Sequence, residues 1–194
     1  MIATDQIFWT LSRGTGIAAI TLASVSVCFG LLSGRGLKLG PGRFRDGKTI
    51  HEALSIATIV LILAHGLLLL GDGWLRPGLA GIAVPFQMSY RPVWTGLGIF
   101  SGYGLVILGL SYYLRAQIGP SRWRYLHRFT AVFWVAGFVH AIGAGGDIGA
   151  LWMWLVLMVP AVPAFVLLGM RFGAPRETTR PAPSRPRPAR PQGT

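Results

Sequence analysis

The chain has 194 residues, of which 52% are hydrophobic and only 12% charged, which excludes an ordinary soluble domain and fits one polytopic membrane domain. The net charge of +12 does not imply a nucleic-acid partner, because the basic residues sit in short stretches between apolar spans, the usual pattern of cytoplasmic loops. The single cysteine, Cys28, lies inside an apolar stretch and rules out an internal disulfide.

The N-terminus, MIATDQIF, has no basic region before its apolar run, so it reads as a retained first helix rather than a cleaved signal peptide. That helix is predicted over about 8–33, long enough for a bilayer core that needs about 20 apolar residues. Gly14, Gly16, Gly30 and Gly34 allow close approach, and Gly30 and Gly34 have GxxxG spacing; helix packing is their simplest role. The first loop, Arg35 to Lys48, carries five basic residues against Asp46. A second helix follows over about 49–70.

The segment from Gly71 to Arg91 is apolar but broken by Pro77, Pro85 and several glycines, and it carries Trp74, Phe86 and Tyr90. It is predicted to be an interfacial or re-entrant loop rather than a span. A third helix, about 93–114, contains Gly96, Gly98, Gly102, Gly104 and Gly109, so one face is nearly bare backbone. A short basic loop over 115–124 leads to a fourth helix, about 124–143. A fifth, about 149–170, is expected to kink at Pro160 and Pro163.

The tail, 171–194, is rich in proline and arginine and has too little apolar content to fold alone. A disordered basic tail beside anionic headgroups is the expected role, ahead of polyproline recognition by an SH3-type partner. The expected fold is therefore all-α. It is an integral membrane helical bundle of about five transmembrane helices over residues 1–170, followed by the tail. The first loop, the second loop with Arg128, and the tail hold 15 of the 18 Lys and Arg, which places them in the cytoplasm and the N-terminus outside. A multi-pass protein of the cell membrane is the expected location.

All four histidines lie in two of these spans, His51 and His65 on the second helix, His127 and His140 on the fourth. Polar side chains at membrane depth are costly unless paired, bound or hydrated. A lone one would be a hydrogen-bonded packing residue; four on two parallel helices argue for a ligand. The steps of 14 and 13 residues correspond to rises of about 21 and 20 Å, so His51 matches His127 on the cytoplasmic side and His65 matches His140 on the outer side. A 14-residue step returns to within about 40° of the same face, but a 13-residue step is about 140° off, which requires a distortion near His127 or an oblique ligand.

Two planar haems, each clamped between one histidine of each helix, fit this pattern, since imidazole is a good axial ligand and no cysteine is needed. Arg122, Arg124 and Arg128 on one side, and Arg13, Arg76 and Arg91 on the other, are candidates to neutralise propionates, although each alone reads as a loop or snorkelling charge. A metal or proton transporter using the histidines as a relay is the main alternative, weakened because only Glu52 supplies a carboxylate near a span. A membrane scaffold without a cofactor is the third.

His51-x13-His65 and His127-x12-His140, with LHRFTAVFWVAGFVH around the latter, resemble the ferric reductase-like transmembrane family over about residues 10–170. That family includes ferric reductases, NADPH oxidases and the smaller membrane subunit of the bacterial methionine sulfoxide reductase system. The resemblance implies two b-type haems, held by His51 with His127 and by His65 with His140. It also implies an aromatic residue between them, for which Phe133, with Trp134 beside it, is placed. Larger members carry a flavin and nicotinamide domain after the last helix and commonly six helices. This chain has neither that domain nor a GxGxxG, so it resembles the stand-alone membrane subunit. Such a subunit takes electrons from a cytoplasmic flavoprotein or a quinol and passes them to an outer acceptor. Flavin is then expected only through a partner.

Overall fold

A computed structural model describes the backbone of residues 2–34 and 43–173 and the side chains of 6–33 and 47–172. Most of the first loop (35–42) and of the tail (174–194) lies outside the described residues, so the readings of a cytoplasmic loop and a disordered tail lie there too. Every regular element among the described residues is helical. Helix α1 spans Ile2–Gly34, α2 Arg43–Leu68, α3 Gly78–Ala83, α4 Pro92–Leu110, α5 Arg115–Ile118, α6 Pro120–His127, α7 Thr130–Ala144 and α8 Leu151–Gly173.

Among the described residues, four segments are long and apolar enough to cross a membrane: Gln6–Ser33, Gly47–Gly71, Pro92–Ile118 and Leu151–Phe172. Side chains such as Val60, Leu67, Ile107 and Val159 turn outward, as a helical membrane bundle requires. The fourth predicted helix is divided. It stops at His127 and resumes at Thr130, and the 15 residues of α7 rise only about 22 Å.

The predicted loop over 115–124 is largely helical. Gly119, at φ +93°, ends α5, and Pro120 opens α6, a position where the missing amide of proline costs nothing. Helix α2 begins at Arg43, earlier than the apolar pattern indicates, because arginine and lysine propagate a helix well. The segment between α2 and α4 is not a span. It holds a 3-10 turn at Leu69–Gly71, the short α3, and residues at positive φ, Arg76, Phe86 and Arg91. Asp72 fastens it, its carboxylate accepting from the amides of Trp74 (2.8 Å) and Leu75 (2.9 Å). Helix α8 runs unbroken through Pro160 and Pro163.

Helix α1 lies along α2, and α4 along α7, while α8 packs on α1. The sealed core forms between α1, α7 and α8 from Ile20, Ala23, Trp134, Phe138, Met153, Leu157, Ala161 and Ala164. The Trp134 indole donates to Ser24 Oγ (3.0 Å), and its ring packs on Phe165. Trp134 is therefore a core residue. On the opposite flank, α2 and α7 stand apart with at most sparse backbone contact, and α1 and α4 close the two sides.

Candidate functional site

The imidazoles reach across that gap. The rings of His51 and His127 have centroids 6.2 Å apart, and those of His65 and His140 6.3 Å apart. The two pairs lie at two levels, as the sequence spacing anticipates.

The 13-residue step between His127 and His140 is accommodated at the break between α6 and α7. The amides of Arg128, Phe129, Ala131 and Val132 donate three residues back, to Tyr125, Leu126, Arg128 and Phe129, at 3.0–3.3 Å. A 3-10 turn advances about 20° more per residue than an α-helix, so four such residues recover about 80° of the 140° mismatch. The tight turn brings His127 and His140 round to meet the two histidines of α2.

Three of the four rings have a defined hydrogen-bonding nitrogen. His65 Nδ1 lies 2.7 Å from the Ser12 carbonyl, His51 Nδ1 2.9 Å from the Ser26 carbonyl, and His140 Nδ1 2.8 Å from the Trp94 carbonyl. A carbonyl only accepts, so each Nδ1 carries the proton and each Nε2 keeps its lone pair. His127 differs. Its buried Nδ1 makes no hydrogen bond of good geometry. Its ring is instead stacked on Trp123 (centroids 4.9 Å, 23°), whose indole donates to Ser111 Oγ.

Glycines make room for the rings. A Cβ on Gly16 would lie 2.9 Å from His65, on Gly30 3.1 Å from His51, and on Gly98 2.5 Å from His140. Gly30 thus makes room for the His51 ring where α1 lies along α2. Phe133, midway in sequence between His127 and His140, packs on Phe100 (5.0 Å) and against Gly104.

The arginines are mostly engaged. Arg13 forms an ion pair with Asp147 and lies over Trp9. Arg91 Nη1 donates to the Gly143 carbonyl (2.7 Å), Arg76 Nε to Gly73, and Arg124 Nη2 to Ser121 Oγ. Arg122 and Arg128 are exposed at the α6 end.

Sequence reasoning does not find Ser12, Ser26, Trp94 or Trp123. The signal for the first two is a repeat. Ser12 and Gly16 recur as Ser26 and Gly30, 14 residues on, the same step that separates His51 from His65.

The donor set suits haem. Two metal–imidazole bonds of about 2 Å, plus about 1 Å from each nitrogen to its ring centre, give about 6 Å between centroids, which both pairs match. Among the described residues no three His, Cys, Asp or Glu side chains converge. Two imidazoles per level would suit a haem rather than a metal ion held by three or more side chains.

A helical membrane bundle that holds imidazole pairs at two levels belongs among membrane redox subunits. The family model described as ferric reductase like transmembrane component matches residues 15–138, well over half the chain. The chain belongs to that family, whose members generally bind haem. Comparison with curated proteins and with solved structures gives no match.

Proposed function

We propose that the protein carries two b-type haems, one between His51 and His127 near the cytoplasmic face and one between His65 and His140 near the outer face, and that it moves electrons across the membrane. The observation that carries this reading is the Nδ1–carbonyl hydrogen bonds of His51, His65 and His140, which turn the basic nitrogen of each ring to a ligand while the ring centres stand about 6 Å apart. Haem bound there supplies one-electron chemistry. The chain supplies the rest. α1 and α4 seat the rings against glycine, the apolar walls exclude water, and Phe133 fills the stretch between the two levels. Arg122 and Arg128 are the cations exposed at the α6 end for propionates or for a negatively charged partner.

The orientation rests on the positive-inside rule. The electron donor in this reading is a cytoplasmic flavoprotein or a quinol, the acceptor lies outside, and the compartment boundary is the cell membrane. Were each haem held by two histidines, the iron would keep no site open to the acceptor, and electrons would leave through the protein or the edge of the group.

Purified full-length protein tests the reading through its absorption spectrum. A Soret band with sharp α and β bands on reduction is expected. Colourless, folded protein from haem-replete cells overturns it. Replacing His65 and His140 together should remove one haem of the two; equal loss of both contradicts the paired levels.

A further inference from the structure

We propose that Ser12 and Ser26 are positioning residues. Each hydroxyl holds one α2 histidine and tunes the reduction potential of one level alone, Ser12 the level of His65 and Ser26 the level of His51. The inference rests on the haem reading above. Neither serine is a ligand, and both sit on α1, a helix that contributes no histidine.

The geometry is the same twice. Ser12 Oγ lies 3.1 Å from His65 Nδ1 and donates to the His65 carbonyl at 2.9 Å. Since that hydroxyl proton goes to a carbonyl, its lone pair faces Nδ1–H, which it shares with the Ser12 carbonyl at 2.7 Å. Ser26 Oγ lies 2.9 Å from His51 Nδ1, whose proton the Ser26 carbonyl also accepts at 2.9 Å. The Ser26 hydroxyl lies 3.3 Å from the His51 carbonyl and 2.9 Å from Ser55 Oγ, and Ser55 in turn donates to the His51 carbonyl at 2.7 Å. Ser12 is 1% exposed and Ser26 4%, so water does not compete for these bonds.

His127, at the end of α6, and His140, on α7, have nothing comparable. His140 has one acceptor, the Trp94 carbonyl, and His127 Nδ1 has none of good geometry. Each level therefore has a strongly held histidine from α2 and a less firmly held one, His127 of α6 or His140 of α7. A second acceptor on Nδ1–H raises the basicity of Nε2, as outer hydrogen bonds do for metal-bound histidines generally, and so favours the ferric state. Removing the hydroxyl while the backbone carbonyl stays should raise the potential without freeing the ring.

Spectroscopic redox titration of full-length protein carrying Ser12→Ala, Ser26→Ala or Ser24→Ala tests this, with Ser24 as a buried serine that serves Trp134 rather than a histidine. Ser12→Ala should shift one midpoint upward and Ser26→Ala the other, with Ser24→Ala moving neither. Unmoved midpoints in both variants overturn the proposal, as does an equal shift of both haems in either one. If an alanine variant fails to fold, Ser→Cys, close in size with a weaker donor and acceptor, replaces it under the same criteria. The Nδ1–H proton resonances of His51 and His65 in haem-free protein give a separate readout. Each should move in its own serine variant only, and unmoved resonances overturn the proposal. A chain that takes up no haem overturns the haem reading, while these resonances still decide whether the serines hold the rings.

Discussion

The Cβ that Gly98 lacks would stand 2.5 Å from Nδ1 of His140, closer than the corresponding positions on Gly16 (2.9 Å from His65) and Gly30 (3.1 Å from His51). An added methyl at Gly98 must displace the ring from the Trp94 carbonyl. Overpacking of this kind costs about 1–3 kcal/mol. Haem content per protein should therefore fall most in Gly98→Ala, less in Gly16→Ala and least in Gly30→Ala. The first two should affect the His65–His140 level and the third the other. An equal effect of all three would contradict the role given to the close approach.

The planes of His51 and His127 are inclined at 81° and those of His65 and His140 at 67°. Axial imidazoles near perpendicular leave the two iron orbitals of π symmetry almost equal in energy, which makes a low-spin ferric centre magnetically anisotropic. Electron paramagnetic resonance of the oxidised protein should show two strongly anisotropic low-spin signals, the more extreme from the His51–His127 level. Signals typical of parallel ligand planes at both levels would rule out these ring orientations in the loaded protein.

Much of this could be read from the residues alone, for a reason specific to lipid. Imidazoles inside apolar spans have few ordinary explanations, so His51, His65, His127 and His140 stand out without any structure. Their pairing follows from helix rise. What the residues hide is local backbone geometry. The turn after His127 depends on which amides bond three residues back, and nothing in LHRFT marks that choice. Ser12 and Ser26 are hidden because a serine in a transmembrane helix usually bonds its own preceding carbonyl, as Ser24 does to Ile20. Arg13 and Arg91 read as free charges until the fold supplies Asp147 and the Gly143 carbonyl.

His127 has no good acceptor for Nδ1 and relies on the Trp123 ring. Aromatic stacking contributes about 0.5–1.5 kcal/mol beyond burial. Trp123→Ala should weaken retention of the haem at the His51–His127 level several-fold, and Trp123→Phe should weaken it less. Stepwise denaturant titration, followed in the Soret band, checks both the order of loss and the difference between variants. Release of the other haem first in Trp123→Ala would count against this assignment.

Thr58 lies midway in sequence between His51 and His65 on α2, and Thr21 lies between Ser12 and Ser26 on α1. Both hydroxyls are buried without a hydrogen-bond partner. A buried unsatisfied hydroxyl costs about 1–3 kcal/mol, so Thr58→Val should stabilise the protein by about 1 kcal/mol. Thermal unfolding in detergent measures it. A lower midpoint would mean that the hydroxyl is satisfied in solution.

Helix α1 grips α2 at two points 14 residues apart, Ser12 with His65 and Ser26 with His51. Along both helices that interval is about 21 Å. A bilayer that thickens or thins changes the tilt of the helices, but the two grips cannot slide, because each is a cluster of directional bonds to a fixed register. The protein thus carries its own ruler, and the gap between its two imidazole levels stays constant from one lipid composition to another.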